Sequence, residues 1–156
     1  MVGSTPTRAT IFIAEDNPIL LQGLDRALSA NGYEVATAPS GEAMLEMLER
    51  SESCPDLLLL DVMMPGLSGF DVLRTVQADP RRRSVPVVMI TAATDEALRA
   101  SAQQQGAADL LIKPFRLGEL LERIELHVSR TRELGGARRH HLLLARDARA
   151  RARGAW

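Results

Sequence analysis

The chain has one cysteine, Cys54, which excludes an intrachain disulfide and fits a reducing compartment better than secretion. No apolar run approaches the ~20 residues that cross a bilayer. Met1 to Thr10 lacks the apolar core of a secretory signal. A cytoplasmic protein without a membrane span is therefore expected. Aromatic residues make up only 3%, and beyond residue 130 the sole one is Trp156. That stretch also shows no helix-turn-helix pattern, so sequence-specific DNA binding has little support.

The 156 residues suffice for one domain with a full core, and 46% apolar with 25% charged residues is ordinary globular composition. The net charge of −1 hides an asymmetry. Residues 130–156 carry eight arginines against Glu133 and Asp147, a net of +6. The remaining 129 residues hold 11 basic and 18 acidic side chains, a net of −7. An acidic body precedes a basic tail.

Along the chain, residues 1–8 are polar, with Gly3 and Pro6, and read as a disordered leader. Ala9 to Ala14 is a short buried strand ending in Glu15-Asp16. Asn17-Pro18 starts a helix, with Ile19, Leu20, Leu24, Ala27 and Leu28 as its apolar positions and Asn31-Gly32 as its stop. Tyr33 to Ala38 alternates like a strand, and Ser40 caps a helix with Ala43, Met44, Met47 and Leu48 inward. A third helix runs from about Ser68 to Ala78, and the Asp79-Pro80-Arg81-Arg82-Arg83 turn reads as solvated. Val85 to Ile90 is a strand ending at Thr91. Thr94 or Asp95 caps an Ala/Gln-rich helix ending at Gly106, which should be the least firmly packed. Asp109 to Ile112 is a fifth strand, closed by Lys113-Pro114. A long helix from about Arg116 carries Leu117, Leu120, Leu121, Ile124 and Val128 on one face, with Leu126 opposite.

The most informative stretch is Pro55 to Gly69. Leu57-Leu58-Leu59-Leu60 is apolar at every position, as a strand covered on both faces must be. It ends in a carboxylate, Asp61, followed by a Pro65-Gly66 turn. Five strands alternating with helices imply a doubly wound α/β parallel sheet with right-handed crossovers. The flavodoxin-like (βα)5 order 2-1-3-4-5 suits them and makes strands 1 and 3 neighbours.

In that order Glu15-Asp16, Asp61, Thr91 and Lys113 converge at the carboxyl ends of the strands. Three crowded carboxylates repel one another, and a hard divalent ion such as Mg²⁺ resolves the conflict. Lys113 adds a fixed positive charge and Thr91 a hydroxyl donor. Carboxylate, metal, ammonium and hydroxyl are what an aspartyl nucleophile needs to accept a phosphoryl group.

Over about residues 9–130 the chain resembles the receiver domains of bacterial two-component response regulators. The resemblance rests on Glu15-Asp16-Asn17, on Asp61 with Met64-Pro65-Gly66 and Gly69, on Thr91-Ala92, and on Lys113-Pro114-Phe115. It implies that Asp61 is phosphorylated from the phosphohistidine of a sensor histidine kinase or histidine phosphotransfer protein. It further implies that Asp16, Asp61 and the Met63 carbonyl bind Mg²⁺, with Glu15 acting through water. Lys113, ahead of a cis Pro114, would contact the phosphoryl group, and Thr91 would report its presence.

Two positions depart from the family pattern. Leu110 stands where an aromatic residue often couples to the Thr. Met63 and Ala93 stand where side chains influence hydrolysis of the phosphoaspartate, and neither can orient a water. The expected protein is thus a phosphorylation switch rather than an enzyme, with slow self-dephosphorylation and no dedicated output domain in this chain. The rivals are a phosphate-independent interaction module of the same fold and a metal-dependent phosphatase. Residues 131–156 read as a helical extension or linker, with a basic tail that touches nucleic acid or an acidic partner as the alternative. The face formed by strand 4, strand 5 and the last helix is the expected place for a homodimer contact. Cys54, His127, His140-His141 and the Met44, Met47 and Met89 side chains have plain readings: a loop residue, a helix-face residue, a diverging pair and core filler.

Overall fold

A computed structural model describes residues 7–131. Five parallel strands, β1 (Thr10–Ala14), β2 (Glu34–Ala38), β3 (Leu57–Asp61), β4 (Val87–Thr91) and β5 (Asp109–Ile112), form one sheet. Their order is β2-β1-β3-β4-β5, the flavodoxin-like arrangement. The connecting helices are α1 (Pro18–Ala30), α2 (Gly41–Arg50), α3 (Gly69–Ala78) and α4 (Glu96–Gln104), and residues 117–131 form α5.

Two cores flank the sheet. Leu57 and Leu59 of β3 face one core with Ile11, Ile13, Leu24, Leu28, Ile124 and Val128, so α1 and α5 cover that side. Leu58 and Leu60 face the other, with Met44, Leu48, Val72, Leu73 and Met89, under α2 and α3. All four leucines are fully buried. Their lack of polar alternation is thus the signature of a strand packed on both faces. β2, at the sheet edge, is only partly covered: Val35 packs against one core and Ala36 and Ala38 against the other, while Glu34 and Thr37 are exposed.

The helix starts follow their caps. Asn17 Oδ1 accepts from Ile19 and Leu20 N–H at 3.0 and 3.2 Å, ahead of Pro18. Ser40 Oγ accepts from Ala43 N–H at 3.0 Å. Ser68 and Asp71 form a reciprocal capping box at α3, and Asp95 rather than Thr94 caps α4. Each such cap stabilises its helix by about 1 kcal/mol. Gly32, with φ of +89°, closes α1 in a conformation that L side chains rarely adopt. In α4 only Ala102 is fully buried, which matches its sparse apolar content.

Several local readings need correction. Ile19 is 82% exposed, because the first turn of α1 overhangs the sheet and the inward stripe passes through Leu20, Leu21, Leu24 and Leu28. Val85 and Pro86 precede β4, which starts at Val87, although the Pro86 carbonyl still accepts from Leu58 N–H at 3.0 Å. The arginine turn is not uniformly solvated. Arg82 is buried, paired with Asp79 and Glu49 at 2.5 and 3.1 Å, and donates to the Leu48 carbonyl at the end of α2 at 2.9 Å. His127 is also buried, with Nε2 2.9 Å from Asp109 Oδ2, an oxygen that Arg123 shares at 3.0 Å. Burial pushes the Asp109 carboxyl up, but His127, the Leu110 N–H and Arg123 outweigh it and hold it below its usual value.

Of the expected leader, Arg8 is tied to the turn after α1, its N–H donating to the Gly32 carbonyl at 3.0 Å. Residues 1–6 and the basic stretch from residue 132, including His140-His141, lie outside the described residues. No helix among the described residues is long and apolar enough to cross a membrane.

Candidate functional site

The parallel register aligns the strand ends. Ala14 of β1 pairs with Leu60 of β3, Asp61 with Ile90 of β4, and Thr91 with Ile112 of β5. The residues just beyond therefore gather along one edge of the sheet. The Glu15 N–H donates to the Ala38 carbonyl at 3.2 Å, which extends the β1–β2 pairing and turns the Glu15 side chain inward. That side chain is 1% exposed. Glu15 Oε1 accepts the Asn17 N–H at 3.1 Å and Oε2 accepts the Lys113 ammonium at 3.1 Å.

Asp61 is held on both oxygens. Oδ1 accepts the Met63 N–H at 3.0 Å and Oδ2 accepts Lys113 Nζ at 2.7 Å. Gly69, at the start of α3, lies directly under this aspartate: a Cβ there would collide with the Asp61 carbonyl oxygen. The Lys113 N–H donates to the Thr91 carbonyl at 2.7 Å, and the Lys113-Pro114 peptide is cis, as expected. Glu15, Asp16 and Asp61 each offer one carboxylate oxygen, and these oxygens lie within 4.8 Å of one another.

The electrostatics follow from this crowding. Burial, the shared hydrogen bond with Asp61 and repulsion from its charge push the Glu15 carboxyl up to about 7; the Asn17 N–H and Lys113 oppose this without cancelling it. Burial alone would lower the Lys113 ammonium, but its bonds to Asp61 and Glu15 prevail and raise it. Three carboxylates face one ammonium, so the pocket is left anionic.

Thr91 is fully buried at the end of β4, and its hydroxyl accepts the Ala93 N–H at 3.1 Å. It thus closes its own loop and makes no hydrogen bond to Asp61 here. The Met63 side chain is 73% exposed, and the link to Asp61 runs through its N–H. Leu110 is half-buried against the α2–α3 core and borders a cavity of about 220 Å³ with Arg99, Ala102, Gln103 and Ala107. One contact near the site had no counterpart in the sequence reading. Glu42, in the first turn of α2, accepts the Leu67 N–H at 2.9 Å and so grips the loop that follows Asp61.

The family model for the response regulator receiver domain matches residues 11–125. The chain belongs to that family. Among curated relatives, the response regulator PleD of Caulobacter vibrioides is 42% identical over 107 residues, covering 69% of this chain and 23% of PleD. The DNA-binding response regulator MtrA of Mycolicibacterium smegmatis is 36% identical over 126 residues, 81% of this chain and 53% of MtrA. The chain spans about half or less of these relatives. Among solved structures, the receiver domain of the sensor histidine kinase PA1611 from Pseudomonas aeruginosa has a TM-score of 0.70 and 29% identity. The similarity covers 78% of this chain and 98% of that one, which holds a magnesium ion in its active-site cleft. In this receiver domain, then, Glu15, Asp16, Asp61 and Lys113 form one pocket, with Thr91 at its edge.

Proposed function

We propose that this receiver domain accepts a phosphoryl group on Asp61 from the phosphohistidine of a sensor histidine kinase or a histidine phosphotransfer protein, and relays it as a conformational switch. The observation that carries the reading is the Lys113 ammonium set between Asp61 Oδ2 and Glu15 Oε2, at 2.7 and 3.1 Å, beside a third carboxylate.

The donor set suits a hard divalent cation. Oxygens bound to Mg²⁺ at ~2.1 Å stand roughly 3 to 4 Å apart, so carboxylates within 4.8 Å need only small rotations. Burial and the neighbouring Asp61 raise the Glu15 carboxyl to about 7, so Lys113 alone does not hold it fully charged, and a second cation in the pocket would favour its ionised form. Glu15, Asp16, Asp61 and the Met63 carbonyl would hold Mg²⁺, in keeping with the ion in the PA1611 receiver. When bound, the ion supplies positive charge to the oxygens of the transferring group.

The chain's own residues do the rest. The Met63 N–H fixes one Asp61 oxygen, leaving Oδ2 as the acceptor. As the new O–P bond forms at Oδ2, the N–P bond of the phosphohistidine breaks and its electron pair stays on the imidazole. Lys113 then exchanges its bond to Oδ2 for one to a phosphoryl oxygen, keeping its charge beside the group as it arrives. The buried Thr91 hydroxyl accepts the Ala93 N–H and keeps its own proton to donate to that group; turning toward the phosphoryl oxygens would pull on the Ala93 bond, which would couple phosphorylation to the loop ahead of α4. Such a protein acts once per phosphoryl group received and is a switch rather than a turnover enzyme. A cytoplasmic location and self-association through β4, β5 and α5, where Leu126 is 42% exposed, complete the reading.

Incubation with Mg²⁺ and a small phosphodonor such as acetyl phosphate tests it by intact mass. A stoichiometric gain of one phosphoryl group, lost in Asp61→Asn, is expected. No gain would support a phosphate-free interaction module, and multiple turnover of the donor a phosphatase.

A further inference from the structure

The loop between Asp61 and α3 is tied down at both ends. The Val62 N–H donates to the Ile90 carbonyl at 2.8 Å, and the Gly69 N–H to the Val62 carbonyl at 3.0 Å. Met64 is buried in the α2–α3 core. Between these anchors the tip, Pro65-Gly66-Leu67, projects toward α2. Among the described residues its only hydrogen bond to the rest of the fold is the Leu67 N–H to Glu42 Oε1, at 2.9 Å.

The contact is shaped on both sides. Gly66 has φ of +76°, and a Cβ there would collide with Glu42 Oε1. A Cβ at Gly41 would stand 2.7 Å from the Leu67 carbonyl, so the first turn of α2 lies against the loop backbone. Glycines on each partner allow this approach. The Leu67 N–H in turn holds the Glu42 carboxyl below its usual range, so it is ionised at neutral pH.

The same loop delivers the Met63 N–H that fixes Asp61 Oδ1 at 3.0 Å. Met63 is followed by the buried Met64 and then by the tip, so a tip held on α2 keeps Met64 seated and, through it, the Met63 N–H in place. Glu42 touches neither Asp61 nor the other carboxylates, yet it restrains the segment that orients the acceptor.

We infer that Glu42 is a positioning residue for phosphoryl transfer, acting from α2 through Leu67 and the loop backbone to hold Met63 against Asp61. The inference rests on Asp61 being the phosphoacceptor. It assigns a kinetic role to a surface carboxylate that is otherwise an ordinary first-turn helix residue.

The test compares Glu42→Ala and Glu42→Gln with the unaltered chain. The initial rate of Asp61 phosphorylation by acetyl phosphate is measured across a Mg²⁺ series, alongside unfolding in chelator. Gln keeps an oxygen acceptor for the Leu67 N–H. Glu42→Ala is expected to slow phosphorylation about fivefold, the effect of losing one hydrogen bond of average net worth, and to raise the Mg²⁺ needed for half-maximal rate. Glu42→Gln should restore the rate to within about twofold. A merely structural role would change unfolding without this Mg²⁺ dependence or rescue. An unchanged rate in Glu42→Ala, or equal slowing in both variants, overturns the inference. If the unaltered chain gains no phosphoryl group, the receiver reading falls and this inference with it. If it does and Glu42→Ala matches it, only the role of Glu42 is lost.

Discussion

Lys113 and Asp61 meet at 2.7 Å although they end strands that are not neighbours, since β4 lies between β3 and β5. The lysine side chain must therefore cross the end of β4. Lys113 is also the chain's only lysine, so the positive side of the pocket rests on one residue. The pairing ties the last strand to the first as well, because the same ammonium reaches Glu15.

Removing that ammonium exposes what it neutralises. In Lys113→Ala two buried carboxylates lose their shared counter-ion, which should destabilise the metal-free protein by about 2 kcal/mol at pH 8, discounted for the pocket's access to solvent. Mg²⁺ should then bind more tightly than to the unaltered chain, because no fixed cation competes for the site. Mg²⁺ titrations followed by thermal unfolding check both points. Weaker Mg²⁺ binding in the variant would contradict them. The raised ammonium of Lys113 adds nothing to pH dependence near neutrality: its contribution is complete below the unfolded value of 10.5 and is lost only as pH rises through the higher folded one.

In the presence of chelator, Glu15 sets the pH dependence of the pocket. Its carboxyl is raised from 4.5 to about 7, mainly by burial, so between those values the folded state binds more protons than the unfolded chain. Stability from this group is complete below pH 4.5 and falls as pH rises toward 7. The shift corresponds to about 3 kcal/mol at most. In chelator, Glu15→Gln should match the unaltered chain near pH 4 and exceed it above pH 7. Denaturant unfolding at a series of pH values gives the difference directly. A difference that stays constant from pH 4 to 8 would rule out the assignment.

The strands, the caps and the strand-end carboxylates were legible because each depends on a few adjacent residues. Asn17-Pro18, Ser40 and Ser68 announce helices locally, and four leucines ending in Asp61 announce a buried strand with a functional end. What stayed hidden depends on partners far along the chain. Nothing in three consecutive arginines marks Arg82 as the one that meets Glu49, 33 residues earlier. Glu42 and Leu67 are likewise 25 residues apart, and the positive φ of Gly66 is the only local trace of their contact. His127 sits at the margin of the apolar stripe of α5, and its burial is decided by Asp109 on β5. Ile19 failed for the opposite reason: helical spacing describes a face but not where the sheet beneath it ends.

Arg82 offers a direct measure of one such hidden contact. Its guanidinium satisfies Asp79, Glu49 and the Leu48 carbonyl at once, joining the end of α2 to the turn after α3. Breaking a buried pair on one side typically costs ~3 kcal/mol, so Arg82→Ala should lower stability by about that much. Arg81→Ala, which removes an exposed pair with Asp79, should cost less than ~1 kcal/mol. Equal losses from parallel urea unfolding would mean that burial does not distinguish the two arginines.

The lifetime of the phosphorylated form is a separate matter of side chains beside the pocket. Hydrolysis needs a water held in line with the Asp61 O–P bond, and a polar side chain at the pocket mouth can hold it. Here Met63 presents an exposed thioether and Ala93 an exposed methyl group, and neither orients water by hydrogen bonding. The phosphorylated chain should therefore lose its phosphoryl group slowly. Met63→Asn places an amide at that position while leaving the Met63 backbone N–H that fixes Asp61 in place, so it changes the water's surroundings without changing the acceptor. Its phosphorylated form should decay several-fold faster, by about the tenfold that one water-positioning hydrogen bond of ~1.4 kcal/mol can supply. The decay is followed by intact mass after removal of donor, at fixed Mg²⁺. A slower decay in Met63→Asn would show that the exposed methionine does not protect the phosphoaspartate, and that access to the pocket is limited elsewhere.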